Sequence, residues 1–132
     1  NKVTILDKVN FHKKKDHLEL YNKVDLALDT FPYNGVTTTF EALWMNVPVI
    51  VLKGYNFNSR CGESIIKNTK IDYLIASNTK EYIEKVIFLS QNKKKLYEIR
   101  KELYDKVLST PLFDTKSFAK DFSDCLLKIL NN

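Results

Sequence analysis

The sequence contains few of the residues that form disulfides, metal sites and catalytic triads. It has two cysteines and two histidines among 132 residues, and Cys61 and Cys125 show no CxxC or CxxH spacing. Isolated cysteines of this kind are typical of a reducing compartment. We therefore predict a cytoplasmic protein with no disulfide and no metal site.

Long apolar segments are also lacking. No apolar run approaches the ~20 residues that cross a bilayer, and the first apolar segment, residues 3–6, is much shorter than the core of a signal peptide. We therefore predict no membrane partner. Because the chain starts at Asn1 and continues directly into a predicted strand, we expect it to be part of a longer protein.

The charge is basic but not concentrated in one segment. The formal net charge is +5, and the two lysine clusters, residues 13–15 and 93–95, are far apart in the sequence. The second cluster is followed by Glu98, Glu102 and Asp105, as is typical of a solvated helix face. A basic chain without a nucleic-acid-binding motif is weak support for such a partner, so we predict no nucleic acid.

Short apolar segments alternate with amphipathic ones along the chain. Strands are predicted at residues 2–6, 24–28, 49–52 and 73–76, with helices between them and three more helices towards the C-terminus. This alternation predicts an α/β fold with a Rossmann-like parallel sheet of about four strands flanked by helices. A chain of this length is enough for one domain, so we expect residues 1–132 to form a single lobe.

The expected ligand site lies at the carboxyl ends of the strands, where parallel sheets bind their ligands. Three loops follow strands: residues 7–14, 29–38 and 53–59. The second loop contains Asn34 and Gly35, then three threonines that precede a helix predicted at residues 39–46. The free amides at a helix N-terminus are a common phosphate site.

Two pairs of residues near these loops have alternative interpretations. Thr38 and Glu41 have the spacing of a capping box, which would use amides that a bound phosphate needs. Lys53 and Arg60 flank the third loop, where they either neutralise phosphate charge or, for Arg60, simply occupy the first turn of a helix. The residues alone leave both alternatives open.

Several segments, taken together, resemble a known family. They are LDTFPYNGVTTTFEALWMNVPVIVLKG, NSRCGESII, DYLIAS, EYIEKV and STPLFDTKSF, in that order. They resemble the C-terminal catalytic lobe of the O-linked N-acetylglucosamine transferase family, bacterial type, which is linked to TPR repeats. The resemblance covers nearly the whole chain and is most specific at residues 29–48. It implies a GT-B fold, in which the second of two Rossmann-like lobes binds a UDP-sugar, and this chain resembles that second lobe.

The resemblance implies roles for residues at the nucleoside end of a UDP-sugar. Lys14 and His17, in the segment KKKDH, match family residues that contact the uracil end. Glu41 matches an acidic residue that holds the ribose hydroxyls. The animal enzymes have aspartate at this position, so Glu41 is a departure with a longer reach.

The resemblance also implies a diphosphate site. Thr37 and Thr38 match paired threonines that bind the diphosphate through hydroxyls and amides. Asn34 and Gly35 precede them in the expected site, and Gly35 allows the close approach. Val36 stands where the animal enzymes have a histidine, so one donor contact is absent.

The implied reaction transfers N-acetylglucosamine from a UDP-sugar to protein Ser/Thr, with the donor as substrate and no further cofactor. No catalytic base is visible in the sequence, and we expect the base and the acceptor site on an N-terminal catalytic lobe. That lobe and TPR repeats are expected in the full chain, and this chain alone is expected to be inactive. The alternative is a non-catalytic nucleotide-binding or interaction module with the same fold, which Val36 and the missing first lobe favour.

Overall fold

The structure, a computed structural model, describes the backbone of residues 14–131 and the side chains of residues 17–131. The predicted first strand, at residues 2–6, and the loop that follows it lie outside the described residues. The same holds for the side chain of Lys14. Within the described residues, no helix is long and apolar enough to cross a membrane.

A parallel sheet lies at the centre of the described chain. Its strands are β1 (Ala27–Leu28), β2 (Val49–Leu52) and β3 (Ile75–Ala76), in the order β1-β2-β3. Ala27 is opposite Val49, and Val51 is opposite Ile75. The predicted α/β fold with a parallel sheet is confirmed, with three strands in the described part where about four were predicted for the whole chain.

Six α-helices and three short 3-10 helices surround these strands in the described residues. The α-helices are α1 (Lys14–Glu19), α2 (Thr37–Trp44), α3 (Cys61–Asn68), α4 (Thr79–Gln91), α5 (Lys93–Leu108) and α6 (Thr115–Leu130). The 3-10 helices are Leu20–Lys23, Asp72–Leu74 and Pro111–Phe113. Helices α4, α5 and α6 are each capped by the side chain that precedes them. These side chains, of Asn78, Asn92 and Asp114, accept a hydrogen bond from the backbone amide three residues further along the chain.

The core lies on both sides of β2. Ile50 and Val51, which point to opposite faces of the strand, are fully buried. Leu43 of α2, Ile66 of α3 and Leu103 of α5 belong to the same buried cluster. Burial on both faces explains why residues 49–52 form an uninterrupted apolar run, as in other parallel sheets.

Strand β1 is shorter than predicted. The sequence predicts a buried strand at residues 24–28, but only Ala27 and Leu28 pair with β2, and Leu28 is 52% exposed. The 3-10 helix Leu20–Lys23 extends to the start of the predicted strand, and the amide of Val24 still donates to Tyr21 O at 3.1 Å. Residues 24–26 therefore connect the 3-10 helix to the strand without sheet pairing.

Helix α2 begins and ends two residues earlier than predicted. It runs from Thr37 to Trp44, and Asn46 beyond it has a φ of 64°. This left-handed conformation stops the helix, and asparagine tolerates it better than most residues do. The side chain of Asn46 also accepts a hydrogen bond from the Tyr104 amide at 3.0 Å, which fixes the turn against α5.

Candidate functional site

The loop between β1 and α2 is organised by Asp29, the first residue after β1. Its Oδ1 accepts hydrogen bonds from the amides of Thr30, at 3.0 Å, and Gly35, at 2.7 Å. Asp29 is only 9% exposed, and its Oδ2 has no hydrogen-bond partner among the described residues. Burial raises the pKa of Asp29, and the bonds from Gly35 and Thr30 oppose part of that rise. The Asp29 carboxylate therefore fixes the first and last residues of the segment 30–35, although burial of its charge is unfavourable.

Asn34 connects this loop to the next one. Its side chain is 1% exposed, with Nδ2 donating to Thr30 O at 2.9 Å and Oδ1 accepting from the Gly62 amide at 3.2 Å. Its own amide donates to Asn58 O at 3.0 Å. Asn34 thus makes internal hydrogen bonds that fix the loop, and its predicted contact with a ligand stays a prediction.

The N-terminus of α2 is open at the surface. Val36 precedes the helix, and no described side chain caps it. Thr37 and Thr38 are exposed in the first turn, where helix amides have no partner within the helix. Thr39 is buried instead, and its hydroxyl donates to Gly35 O at 2.9 Å. The first two threonines thus face solvent, and the third holds the helix against the loop.

The capping-box alternative is wrong. A box would place Thr38 before the helix and direct Glu41 back to its amide, but Thr38 lies inside the helix. The Glu41 carboxylate instead contacts the helical segment that precedes β1. Glu41 Oε2 lies 2.9 Å from His17 Nε2 and 3.3 Å from the Tyr21 hydroxyl. The helix N-terminus is therefore free of the interaction that would compete with a phosphate.

His17, Tyr21 and Glu41 form one polar cluster, called here the His17–Glu41 cluster. The rings of His17 and Tyr21 meet edge to face with centroids 5.7 Å apart. The Tyr21 hydroxyl also donates to Thr38 O at 3.4 Å, so the cluster touches the first turn of α2. Burial, the Glu41 charge and the hydrogen bond to Glu41 raise the pKa of Tyr21 to about 12. Tyr21 is therefore a protonated donor at neutral pH.

The loop after β2 is also rigidly held. Ser59 is fully buried, and its hydroxyl accepts hydrogen bonds from the amides of Tyr55 and Asn56 at 3.0 and 3.1 Å. The Asn56 side chain in turn accepts from the Ser59 amide at 3.0 Å. The rings of Tyr55 and Phe31 meet edge to face 6.5 Å apart, which joins the two loops at the surface.

Three cationic side chains around this loop form ion pairs with one buried glutamate. Glu63 is 3% exposed and lies 2.9 Å from Arg60 Nε, 3.0 Å from Lys67 Nζ and 3.4 Å from Lys53 Nζ. Burial alone would raise the pKa of Glu63, but the contacts with Lys67, Arg60 and Lys53 outweigh it and lower the pKa to about 2. Arg60 directly precedes α3, which begins at Cys61, and its side chain forms an ion pair with Glu63 in the first turn of that helix.

A cavity of about 680 Å³ opens between the two loops and α3. Val36, at the start of α2, lines one side of it, and Arg60, Glu63 and Lys67 line another. The cavity therefore adjoins the open N-terminus of α2.

Six of the seven predicted site residues fall into three groups, and the seventh, Asn34, makes the internal hydrogen bonds described above. Residues His17, Thr38 and Glu41 lie together through the contacts of the His17–Glu41 cluster. Thr37 is exposed in the same first turn, with Gly35 directly before Val36. Lys14 begins α1 one helical turn before His17, and its side chain lies outside the described residues.

Tyr21, Asp29 and Glu63 belong to this region but were not predicted from the sequence. Tyr21 follows His17 by four residues, and this helical spacing was a usable signal. Asp29 and Glu63 gave none, because their importance comes from burial. Among the described residues, no group of three or more His, Cys, Asp or Glu side chains is arranged to hold a metal ion, and the predicted absence of a metal stays a prediction.

Known proteins are similar to this chain in sequence. The chain is 36% identical over 106 residues to a probable UDP-N-acetylglucosamine–peptide N-acetylglucosaminyltransferase, SPINDLY, of Solanum lycopersicum, covering 80% of this chain and 11% of the relative. It is 34% identical over 119 residues to a protein of Arabidopsis thaliana with the same enzyme name, SEC, covering 89% of this chain and 12% of the relative. The chain thus spans only about an eighth of the length of these relatives.

A solved structure of an enzyme of the same kind is similar to this chain in fold and in sequence. A mutant of the Thermobaculum terrenum O-GlcNAc transferase superposes with a TM-score of 0.80 at 34% identity, covering 86% of this chain and 22% of that one. The family model for glycosyl transferase family 41 matches residues 2–122, which include the His17–Glu41 cluster, the threonines of α2 and the Glu63 ion pairs. The resemblance found in the sequence is thereby confirmed, and the chain belongs to glycosyl transferase family 41.

Proposed function

We propose that residues 1–132 form the donor-binding lobe of a UDP-sugar glycosyltransferase that transfers N-acetylglucosamine to Ser or Thr of a protein acceptor. One observation carries the proposal. The resemblance assigns His17, Thr38 and Glu41 to donor binding, and His17, 24 residues before Glu41, meets the helix of the other two through the His17–Glu41 cluster. The cluster lies beside an uncapped helix N-terminus, which favours bound phosphate.

The proposed donor extends along this surface. The uracil end lies beside His17 and Lys14, the ribose hydroxyls donate to Glu41, and the diphosphate accepts from the hydroxyls and amides of Thr37 and Thr38. Asn34 and Gly35 keep the preceding loop close enough for that contact. Binding of the donor breaks the His17–Glu41 contact, because the ribose then takes a place on the carboxylate.

The lobe supports the reaction by stabilising the leaving group. Negative charge grows on the β-phosphate as the sugar leaves, and fixed amides aimed at that charge lower the barrier without reorganisation. The sugar bond to UDP breaks as the acceptor hydroxyl forms its new bond to the sugar. The base that takes the hydroxyl proton belongs, in this proposal, to an N-terminal catalytic lobe that the full protein supplies along with TPR repeats. We place the protein in the cytoplasm.

Calorimetric titration of the complete gene product with UDP, UDP-N-acetylglucosamine and UDP-glucose tests the donor site. We expect binding that weakens about tenfold in Thr38→Ala and in Glu41→Ala, the loss expected for a charge-assisted hydrogen bond. Thr79→Ala and Glu84→Ala are the controls, because they remove the same side chains from the surface of α4. A protein that binds neither UDP nor any UDP-sugar at millimolar concentration contradicts the proposal.

A transfer assay separates the enzyme from a non-catalytic module. The complete gene product should transfer sugar from UDP-N-acetylglucosamine to a protein acceptor, and residues 1–132 alone should not. Donor binding without any turnover by the complete product would favour the non-catalytic alternative. Transfer by the isolated chain would show that no second lobe is required.

A further inference from the structure

The Glu63 ion pairs leave a surplus of positive charge at one edge of the cavity. Lys53, Arg60 and Lys67 surround a single carboxylate, which leaves two positive charges uncompensated. Glu63 is buried, whereas the three cations are between 43% and 54% exposed. Arg60 contacts Glu63 through Nε, and its two terminal nitrogens make no hydrogen bond among the described residues. The carboxylate thus fixes three cations that still face solvent.

Exposed aromatic rings lie on the same cavity. Tyr55 and Phe57 line it and are 78% and 84% exposed. Two exposed rings on one cavity beside fixed cations are a feature of binding surfaces, in which apolar groups are clustered and rimmed by polar ones. Aromatic residues and arginine are also the types most enriched where proteins bind other proteins.

We propose that the cavity edge formed by Arg60, Lys67, Tyr55 and Phe57 binds an acidic segment of the acceptor polypeptide. The two cations pair with carboxylate or phosphoryl groups of the segment, and the rings contact its apolar side chains. This inference rests on the proposed function: the N-terminal lobe holds the target serine or threonine with the base, and the cavity edge holds a flanking acidic segment of the same acceptor. The target hydroxyl then reaches the donor from the Val36 side of the cavity.

Charge and position favour a polypeptide over the other anions that such a surface attracts. In the proposed function the donor diphosphate binds at the N-terminus of α2, and none of Gly35, Thr37 and Thr38 lines this cavity. A single-stranded nucleic acid needs a basic groove along which its backbone runs, whereas these cations converge on one buried carboxylate. A short acidic segment fits a compact cluster with a surplus of two charges.

A pair of matched peptides tests the proposal with the complete gene product saturated with UDP. Both peptides carry the same central serine and apolar residues, one with glutamates and the other with glutamines at the flanking positions. Fluorescence anisotropy should show the glutamate peptide binding about fivefold more tightly, a preference that weakens as salt rises. A version of the glutamine peptide with phosphoserines at the flanking positions should bind as tightly as the glutamate peptide, since the proposed cations also pair with phosphoryl groups.

The double variant Arg60→Ala with Lys67→Ala should remove the preference and leave the affinity for UDP unchanged. Both side chains are half exposed, so their removal need not unfold the protein. Lys80→Ala with Lys106→Ala is the matched control, because it removes the same charge from exposed positions on α4 and α5. The control should keep the preference.

Three results would overturn the inference. Equal binding of both peptides by the wild-type protein would show that the surface does not select acidic groups. Loss of affinity for UDP as well as for the peptide in the double variant would assign the cluster to the donor. Competition of single-stranded RNA with the glutamate peptide would show a nucleic-acid surface. Absence of UDP binding by the wild type is a separate result, since it refutes the proposed donor site before any peptide is added.

Discussion

His17 Nε2 lies 2.9 Å from Glu41 Oε2, a contact that joins α1 to α2 across 24 residues of sequence. Both side chains are partly exposed, at 33% and 19%, so the contact is accessible to a ligand. In the proposed site His17 contacts the uracil base of the donor and Glu41 binds the ribose. A bound nucleoside then replaces this contact.

The two residues should act as a unit in UDP binding. We expect His17→Ala and Glu41→Gln each to lower the affinity for UDP about tenfold, and the double variant to lose less than the product of both losses. The effects of substituting two residues in contact do not add, because each substitution also removes a partner of the other side chain. Calorimetry on all four proteins completes the cycle. Strictly multiplicative losses would mean that His17 and Glu41 bind UDP independently.

Gly35→Ala should weaken UDP binding more than it weakens folding. An added Cβ would overlap the hydroxyl of Thr38, which is the end of a side chain that can rotate away. We therefore expect a stability loss below about 1 kcal/mol, the cost of an off-rotamer side chain. The displaced hydroxyl no longer reaches the diphosphate, so UDP affinity should fall about tenfold.

A second substitution identifies the cause of that loss. If the displaced hydroxyl is responsible, Gly35→Ala should cost little further affinity in a Thr38→Ala background. Urea denaturation and UDP titration of the three variants give both quantities. Unchanged UDP affinity in Gly35→Ala would show that the Thr38 hydroxyl makes no contact with the diphosphate.

The sequence was sufficient to predict the order of the elements and the bounds of β2. Residues 49–52 are apolar without interruption and buried on both faces, so local pattern and tertiary packing agree. The edge strand β1 was predicted too long, because the apolar residues Val24 and Leu26 pack against the core without pairing in the sheet. A run of apolar residues predicts that the segment is buried, but a buried segment need not pair with a neighbouring strand.

The candidate site was only partly predictable for a related reason. Thr38 and Glu41 have the local spacing of a capping box, yet Glu41 bonds to His17 and Tyr21, which no local pattern connects to it. Asp29 and Glu63 looked like ordinary surface carboxylates. Their burial follows from the packing of α3 against the sheet and from contacts between residues far apart in the sequence. Gly62 contacts Asn34 over 28 residues, and the Tyr82 hydroxyl donates to Asp29 O over 53 residues.

Gly62→Ala should destabilise the protein through Asp29. A Cβ at position 62 would overlap the unpartnered Oδ2 of Asp29 and would lie 2.9 Å from Val51 Cγ1. We expect a loss of about 1–3 kcal/mol in the free energy of unfolding, as for other overpacked interiors. Urea denaturation measures it, with Ser64→Ala on the exposed side of α3 as the control.

The part of that loss due to Asp29 can be isolated. In an Asp29→Ala background the carboxylate is gone, so Gly62→Ala should cost clearly less than it does in the wild type. An equal cost in both backgrounds would mean that Val51, and not the Asp29 carboxylate, excludes a side chain at position 62.

Glu63 should make stability depend on pH in the acid range. Its cation contacts lower its pKa from the ordinary 4.5 to about 2, so the folded state binds the proton less tightly than the unfolded state. Its contribution is therefore complete above pH 4.5 and is lost as the pH falls towards 2. Because the three cations are half exposed and screened by solvent, we expect only about 1–2 kcal/mol.

Glu63→Gln is the variant that tests this dependence. Near neutral pH it should be less stable than the wild type by that 1–2 kcal/mol, since three cations then lack their carboxylate. The difference should shrink as the pH falls, because protonation of Glu63 removes the same charge from the wild type. Urea denaturation across the acid range measures both curves, with Glu84→Gln, an exposed carboxylate on α4, as the control. Parallel curves for the wild type and Glu63→Gln would show that the cations do not stabilise the buried charge.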